Sequence, residues 1–153
     1  MTKNAQTKLN DLQKQRRDKL AKIKSLGIDP YPQPNLSHKS SVTEALNLMD
    51  KSVEVAGRIM SLRGHGKILF ADLHDQTGKI QLYFQEKIVK DTMEHTKLLD
   101  LGDNVYVCGE NFNTLAGETS NNVFKFQILA KNLRPLPATT HGLKEIKEHD
   151  RQR

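Results

Sequence analysis

A chain of 153 residues is long enough for one domain with a real core plus roughly forty residues of extension. Its hydrophobic content of 36% and mean hydropathy of −0.64 are low for a compact globule, so part of that length is expected as solvated helix or tail. The absence of any apolar run of ~18 residues, of a charged-then-apolar leader and of a second cysteine speaks against a membrane span, a secretory signal and an internal disulfide, and points to a reducing, cytoplasmic location.

The charge is localised. Residues 1–24 carry eight cations against two anions, which equals the whole chain's net of +6, and the remainder balances at sixteen basic and sixteen acidic residues. Concentrated basic charge points to a polyanionic partner held by one segment, rather than to a uniformly electrostatic binder.

In chain order, Leu9, Leu12, Leu20, Ile23 and Leu26 recur at roughly helical spacing, and the pattern predicts a cationic amphipathic helix from about Thr7 to Leu26, stopped by Gly27. Arg16 interrupts the apolar stripe. A solvated helix and a polyanion-binding helix both fit; the near absence of acidic partners leaves Lys8, Lys14, Arg16, Arg17, Lys19 and Lys24 as candidate contacts to a nucleic-acid backbone. A membrane-surface helix lacks an anchoring Trp or Phe.

The segment GIDPYPQPNLSHKS, with three prolines in five residues, predicts an extended connection. Ser41 to Glu44 has the form of a capping box opening a short helix with Ala45, Leu46 and Met49 on one face. Strands are then expected over 53–62, 67–74, 79–85, 104–113 and 121–133, with a helix over 86–101 carried by Ile88, Val89, Met93, Leu98 and Leu99. Gly64 and Gly66, Gln76 to Gly78, and Ala116 with Gly117 mark the turns. Five strands with one helix between the third and fourth is the order of the OB-fold, a five-stranded Greek-key barrel; the fold class is therefore all-β with flanking helices. Cys108, in the apolar context VYVCGE, is expected inside the core.

Strand phase locates a candidate site. In the second strand Leu69, Ala71 and Leu73 share one face, leaving Phe70 with Asp72 and His74 on the other; in the third, Ile80, Leu82 and Phe84 share a face opposite Gln81 and Tyr83. If the two strands pair through the turn at Gln76 to Gly78, Phe70 and Gln81 lie on the outer surface where OB-folds bind oligonucleotides. A displayed ring stacks a base, a carboxamide offers donor and acceptor to a base edge, and Arg63 at the end of the first strand reaches a phosphate or a base. The competing arrangement buries Phe70 under the N-terminal helix or a loop, at the cost of also covering Asp72 and His74. Asp72 and Asp75 read as solvated residues at a strand end. The six histidines and one cysteine show no zinc spacing, so no metal site is expected, and no Walker, GxSxG or GxGxxG motif is present; no catalytic site emerges.

The segments AGRIMSLRGHGKILFADLHDQTGKIQLYF, LGDNVYVCGENFNT, AGETS and LRPLPATTHGLKEIKEHDRQR, with RRDKLAKIKSLGIDPYP ahead of them, resemble in order and spacing the N-terminal region of bacterial-type class II lysyl-tRNA synthetases. The resemblance implies a basic helix, Pro-rich connection and short capped helix over 1–52, an anticodon-binding OB barrel over 53–134, and over 135–153 a linker toward a catalytic domain that the chain lacks. It implies that the partner is tRNA(Lys), chiefly its uridine-rich anticodon loop, with Phe70 stacking on an anticodon base, Gln81 reading the central uridine, Arg63 touching the same nucleotide and Glu118 helping to recognise a flanking uridine. The full-length enzyme of that family is a homodimer and attaches lysine to tRNA with ATP and Mg²⁺, cofactors that this chain alone is not expected to use. Asp150 departs from the family, which has an aromatic residue before RQR. The other readings are a stand-alone OB-fold protein that binds single strands without specificity, and a structural or dimerisation module.

Overall fold

Inward-facing aliphatic residues at every second position drive five strands to close on themselves. In the computed structural model, which describes residues 3–89 and 93–136, these are β1 (Ser52–His65), β2 (Ile68–His74), β3 (Lys79–Gln85), β4 (Asn104–Asn113) and β5 (Thr119–Ala130). They form a closed barrel in the order β1-β2-β3-β5-β4, antiparallel throughout except between β3 and β5. Val55, Ala71, Leu73, Leu82, Phe84, Val105, Val107 and Val123 are fully buried inside it. Each of the larger ones is worth roughly 1.5–3 kcal/mol relative to exposure. This is the OB-fold barrel expected from the strand order.

The N-terminal helix α1 spans Lys3–Ser25. Gly27 ends it at φ 73°, with Gly27 N donating to Lys24 O and Ile28 N to Ile23 O, the paired bonds of a Schellman cap. The face turned to the barrel includes Ile23 of the expected stripe but otherwise departs from it: Leu12 and Leu26 are exposed, whereas Arg16 is buried. Arg16 thus belongs to the docking face. Its Nη1 donates to Leu101 O at 3.0 Å and Asn132 O at 2.9 Å, satisfying carbonyls of the segments before β4 and after β5. Lys19 reaches Asp100 at 2.7 Å, and the fully buried Lys131 ammonium bridges Asp100 at 2.6 Å and Asp103 at 2.7 Å. Asp103 is fully buried too; it also accepts from the backbone N–H of Asp100 and Asn132. This network of two ammonium and two carboxylate groups staples helix, loop and barrel together.

The second helix, α2 (Val42–Leu46), begins with the expected capping box: Glu44 N donates to Ser41 Oγ, and Ser41 N to the Glu44 carboxylate. Asp75 departs from its reading as a solvated turn residue. Partial burial raises its pKa, but bonds from Val42 N, the Thr77 hydroxyl, Thr77 N and Gly78 N outweigh that and hold it below the ordinary carboxylate value. It ties the β2–β3 turn to the start of α2.

The helix expected over 86–101 is corrected. Of the described residues within 86–101, only Met93–Thr96 (α3) is helical, although it does stand between β3 and β4. The apolar residues there follow no steady 3.6 repeat, because Val89 enters the core from one end of the segment and Leu98 and Leu99 from the other. Cys108 is corrected as well: Val105 and Val107 take the inward phase of β4, so Cys108 is half-buried on the outer side, 3.6 Å from Ser52 Oγ. Asp150 and all but the first two residues of the linker expected over 135–153 lie outside the described residues.

Removing one partner of a buried ion pair leaves an uncompensated charge, so Lys131→Ala should cost about 3–5 kcal/mol in urea unfolding. Lys67→Ala, which removes the exposed pair with Glu86, should stay within about 0.5 kcal/mol. A loss below about 1 kcal/mol for Lys131→Ala would contradict the role given to the network.

Candidate nucleic-acid interface

The outer surface of β1, β2 and β3 owes its composition to one slip in pairing. Along β1, Val53, Val55 and Ile59 point inward at odd positions. Strict alternation would send Ser61 and Arg63 the same way. The register shifts between Ile59 and Ser61, so that Ile59 lies opposite Leu73 but Leu62, not Ser61, lies opposite the buried Ala71. Exposed Met60 is the extra residue. The bulge therefore turns Arg63 outward, directly across from Phe70.

Phe70 in turn lies across from Tyr83, with ring centroids 5.0 Å apart, and Tyr83 is 5.6 Å from Phe112 on β4. Phe70 is partly exposed and is backed by this aromatic row. Gln81 lies beside it, opposite Asp72 on β2 and Ser120 on β5. The hairpin between β4 and β5 closes the other side. Thr114 N donates to Glu118 O at 2.8 Å, Gly117 N to Thr114 O at 2.9 Å, and Gly117 sits at φ 82°, a conformation that suits glycine.

A groove of about 410 Å³ runs between these elements. Arg63, Phe70, Gln81 and Glu118, the four residues singled out in the sequence, all line it, together with Gly64 and His65 at the end of β1 and Thr114 and Ala116 of the hairpin. Arg63 is 60% exposed, and its guanidinium lies 3.6 Å from Asp72, which also accepts from Ser61 Oγ at 2.6 Å. Asp72 is thus held by Ser61 and faces Arg63, rather than being a merely solvated carboxylate. The groove offers one ring, one carboxamide, one cation and one anion within a space the size of a nucleotide: features suited to stacking, edge reading and phosphate or base contact.

Of the six cations singled out in α1, Lys8, Lys14, Arg17 and Lys24 are exposed. Arg16 and Lys19 are engaged in the fold and are withdrawn as backbone contacts. The staple that holds α1 meets the barrel near the end of β5, whereas the groove lies at its beginning, so the 12-residue strand separates the two features. Sequence reasoning missed Tyr83 as a support for Phe70, although its phase with Gln81 displayed it; Phe112, Ser120 and the bulge left no periodic signal.

Among the described residues no group of three or more His, Cys, Asp or Glu is placed to hold a metal, and no helix is long and apolar enough to cross a membrane.

Comparison with known proteins places the fold in a family. The model of the OB-fold nucleic acid binding domain family matches residues 53–136. Lysine–tRNA ligase of Carboxydothermus hydrogenoformans is 42% identical over 149 residues, covering 95% of this chain and 30% of the relative. The lysine–tRNA ligase of Clostridium acetobutylicum is 40% identical over 153 residues, 97% of this chain and 30% of its own length. That of Clostridium botulinum strain Loch Maree is 40% identical over 155 residues, 98% and 31% respectively. The chain thus spans about 30% of the length of the curated relatives it matches.

Proposed function

The chain belongs to the tRNA anticodon family of OB-fold nucleic acid binding domains, and from that premise we propose that it reads the uridine-rich anticodon of tRNA(Lys) as the N-terminal part of a lysine–tRNA ligase. The observation that carries this reading is the convergence of Arg63, Phe70, Gln81 and Glu118 on one groove, in a chain 40–42% identical to lysine–tRNA ligases.

In this reading Phe70 stacks on the central anticodon base, held at its angle by Tyr83 behind it. Gln81 hydrogen-bonds the edge of that base. Arg63, beside Asp72, contacts the same nucleotide, and Glu118 receives a neighbouring one from the hairpin side. Lys8, Lys14, Arg17 and Lys24 grip the phosphate backbone elsewhere on the tRNA, since the length of β5 keeps the helix's docked face away from the groove. ATP and Mg²⁺ belong to lysine activation in the whole enzyme; this chain contributes the choice of tRNA, not the reaction.

Two measurements test it. In titrations with a lysine anticodon stem-loop, Phe70→Ala should lose about 1–3 kcal/mol of binding, and Gln81→Ala should also weaken it, while Phe124→Ala on β5 should bind as the parent does. Unchanged affinity in both groove variants would remove the groove as the binding site. With full-length tRNA, replacing Lys8, Lys14, Arg17 and Lys24 by Gln should flatten the dependence of log K on log salt by roughly 0.7–0.9 for each phosphate that is no longer neutralised. A slope equal to the parent's would make α1 a scaffold only.

A further inference from the structure

We infer that Ser120 is a positioning residue that locks the Gln81 carboxamide in one of its two orientations, and thereby makes the groove select uracil over cytosine. The inference rests on the proposed role of Gln81 in reading a base edge. Ser120 stands at the start of β5, opposite Gln81 in the parallel β3–β5 pairing, and is fully buried. Its hydroxyl donates to Gln81 Oε1 at 2.7 Å. Were the carboxamide turned over, its amino group would donate to the hydroxyl oxygen, and the hydroxyl hydrogen would have to find an acceptor other than Gln81, which is its one side-chain partner among the described residues. A buried donor left without an acceptor costs more than the bond it forgoes, so the orientation with Oε1 on Ser120 is the favoured one.

That orientation has a chemical consequence. A carboxamide oxygen has two lone pairs, and only one is used by Ser120; the amino group keeps both hydrogens. With Oε1 fixed on the Ser120 side, the edge left for a base is an acceptor and a donor in a set order. Uracil matches it with its N3–H and a flanking carbonyl. Cytosine carries the opposite pair, an N3 acceptor beside an amino donor, and would be matched by the flipped carboxamide. A freely rotating Gln81 serves both pyrimidines, whereas a locked one serves uracil. Asp72, the residue opposite Gln81 on β2, accepts from Ser61 and faces Arg63, whereas the side-chain hydrogen bond that the amide makes is the one to Ser120.

The test uses the full chain and two unmodified RNA stem-loops that differ only by U or C at the central anticodon position. The parent should prefer U, and Gln81→Ala should abolish most of that preference. Ser120→Ala should lower the U-to-C affinity ratio by roughly three- to tenfold, mainly by improving binding of the C stem-loop relative to U. Ser120→Cys, which keeps the side chain's size but donates weakly, should move the ratio the same way and serves where Ser120→Ala does not fold, as judged by its thermal midpoint. In the Gln81→Ala background, Ser120→Ala should leave the ratio unchanged, because the two residues act as one unit. A purely structural role would lower both affinities and leave the ratio intact. A full U preference in folded Ser120→Ala or Ser120→Cys, alongside its loss in Gln81→Ala, overturns the role of Ser120 alone. A full U preference in Gln81→Ala overturns the reading of the groove itself.

Discussion

The parallel pairing of β3 with β5 is the constraint on which the rest of the structure depends. It consists of three residue pairs, Gln81 with Ser120, Leu82 with Asn121 and Tyr83 with Asn122, yet it converts an open sheet into a closed barrel. Leu82 faces the core there and Gln81 the groove, so the same contact that completes the hydrophobic interior also assembles the outer site. It brings the β4–β5 hairpin, with Glu118, up to Gly64 and His65 at the end of β1. Without that closure the ring of Phe70 would stand on a surface with no opposite wall.

A second constraint acts at the far end of β5. The ion network of Lys19, Asp100, Asp103 and Lys131, with Arg16 on the adjacent carbonyls, fixes α1 to the barrel through polar groups of which Lys131 and Asp103 are fully buried and Lys19 and Asp100 partly so. Such networks are costly to leave half-satisfied, which makes them specific. The basic segment therefore divides its charge: Arg16 and Lys19 hold the fold, and the exposed cations remain for a polyanion. A net charge counted along the sequence overstates what is free to bind by including both kinds.

Much of this was legible because it is periodic or stereochemically obligatory. The two faces of β2 and β3 follow from alternation, which is why Phe70 and Gln81 could be set on one surface before any pairing was known. The Ser41 capping box and the Gly27 stop follow from local hydrogen bonding and a positive φ. Features that break a period were not legible. The bulge at Met60 changes the parity of β1, and Arg63 was assigned to the site for its charge and place at a strand end rather than for its facing. Arg16 looked like a gap in an apolar stripe, because a buried guanidinium is recognised by the carbonyls it meets, which are 85 and 116 residues away. The segment after β3 contributes core residues from both of its ends, which imitates amphipathic helix without requiring one. The Ser120 bond to Gln81 depends on a pairing 39 residues apart and is silent in either strand taken alone.

The central claim is that one groove, bounded by the end of β1, the outer face of β2 and β3, and the β4–β5 hairpin, receives the anticodon. Backbone amide chemical shifts of the isotopically labelled chain, followed during titration with a lysine anticodon stem-loop, test it most directly. The largest changes are expected at Arg63, Gly64, His65, Phe70, Gln81 and Glu118, with near-silence around Arg58, Asn104 and Arg134, which line a separate depression on the barrel. Changes centred on that second depression, with the residues of the groove unmoved, would contradict it.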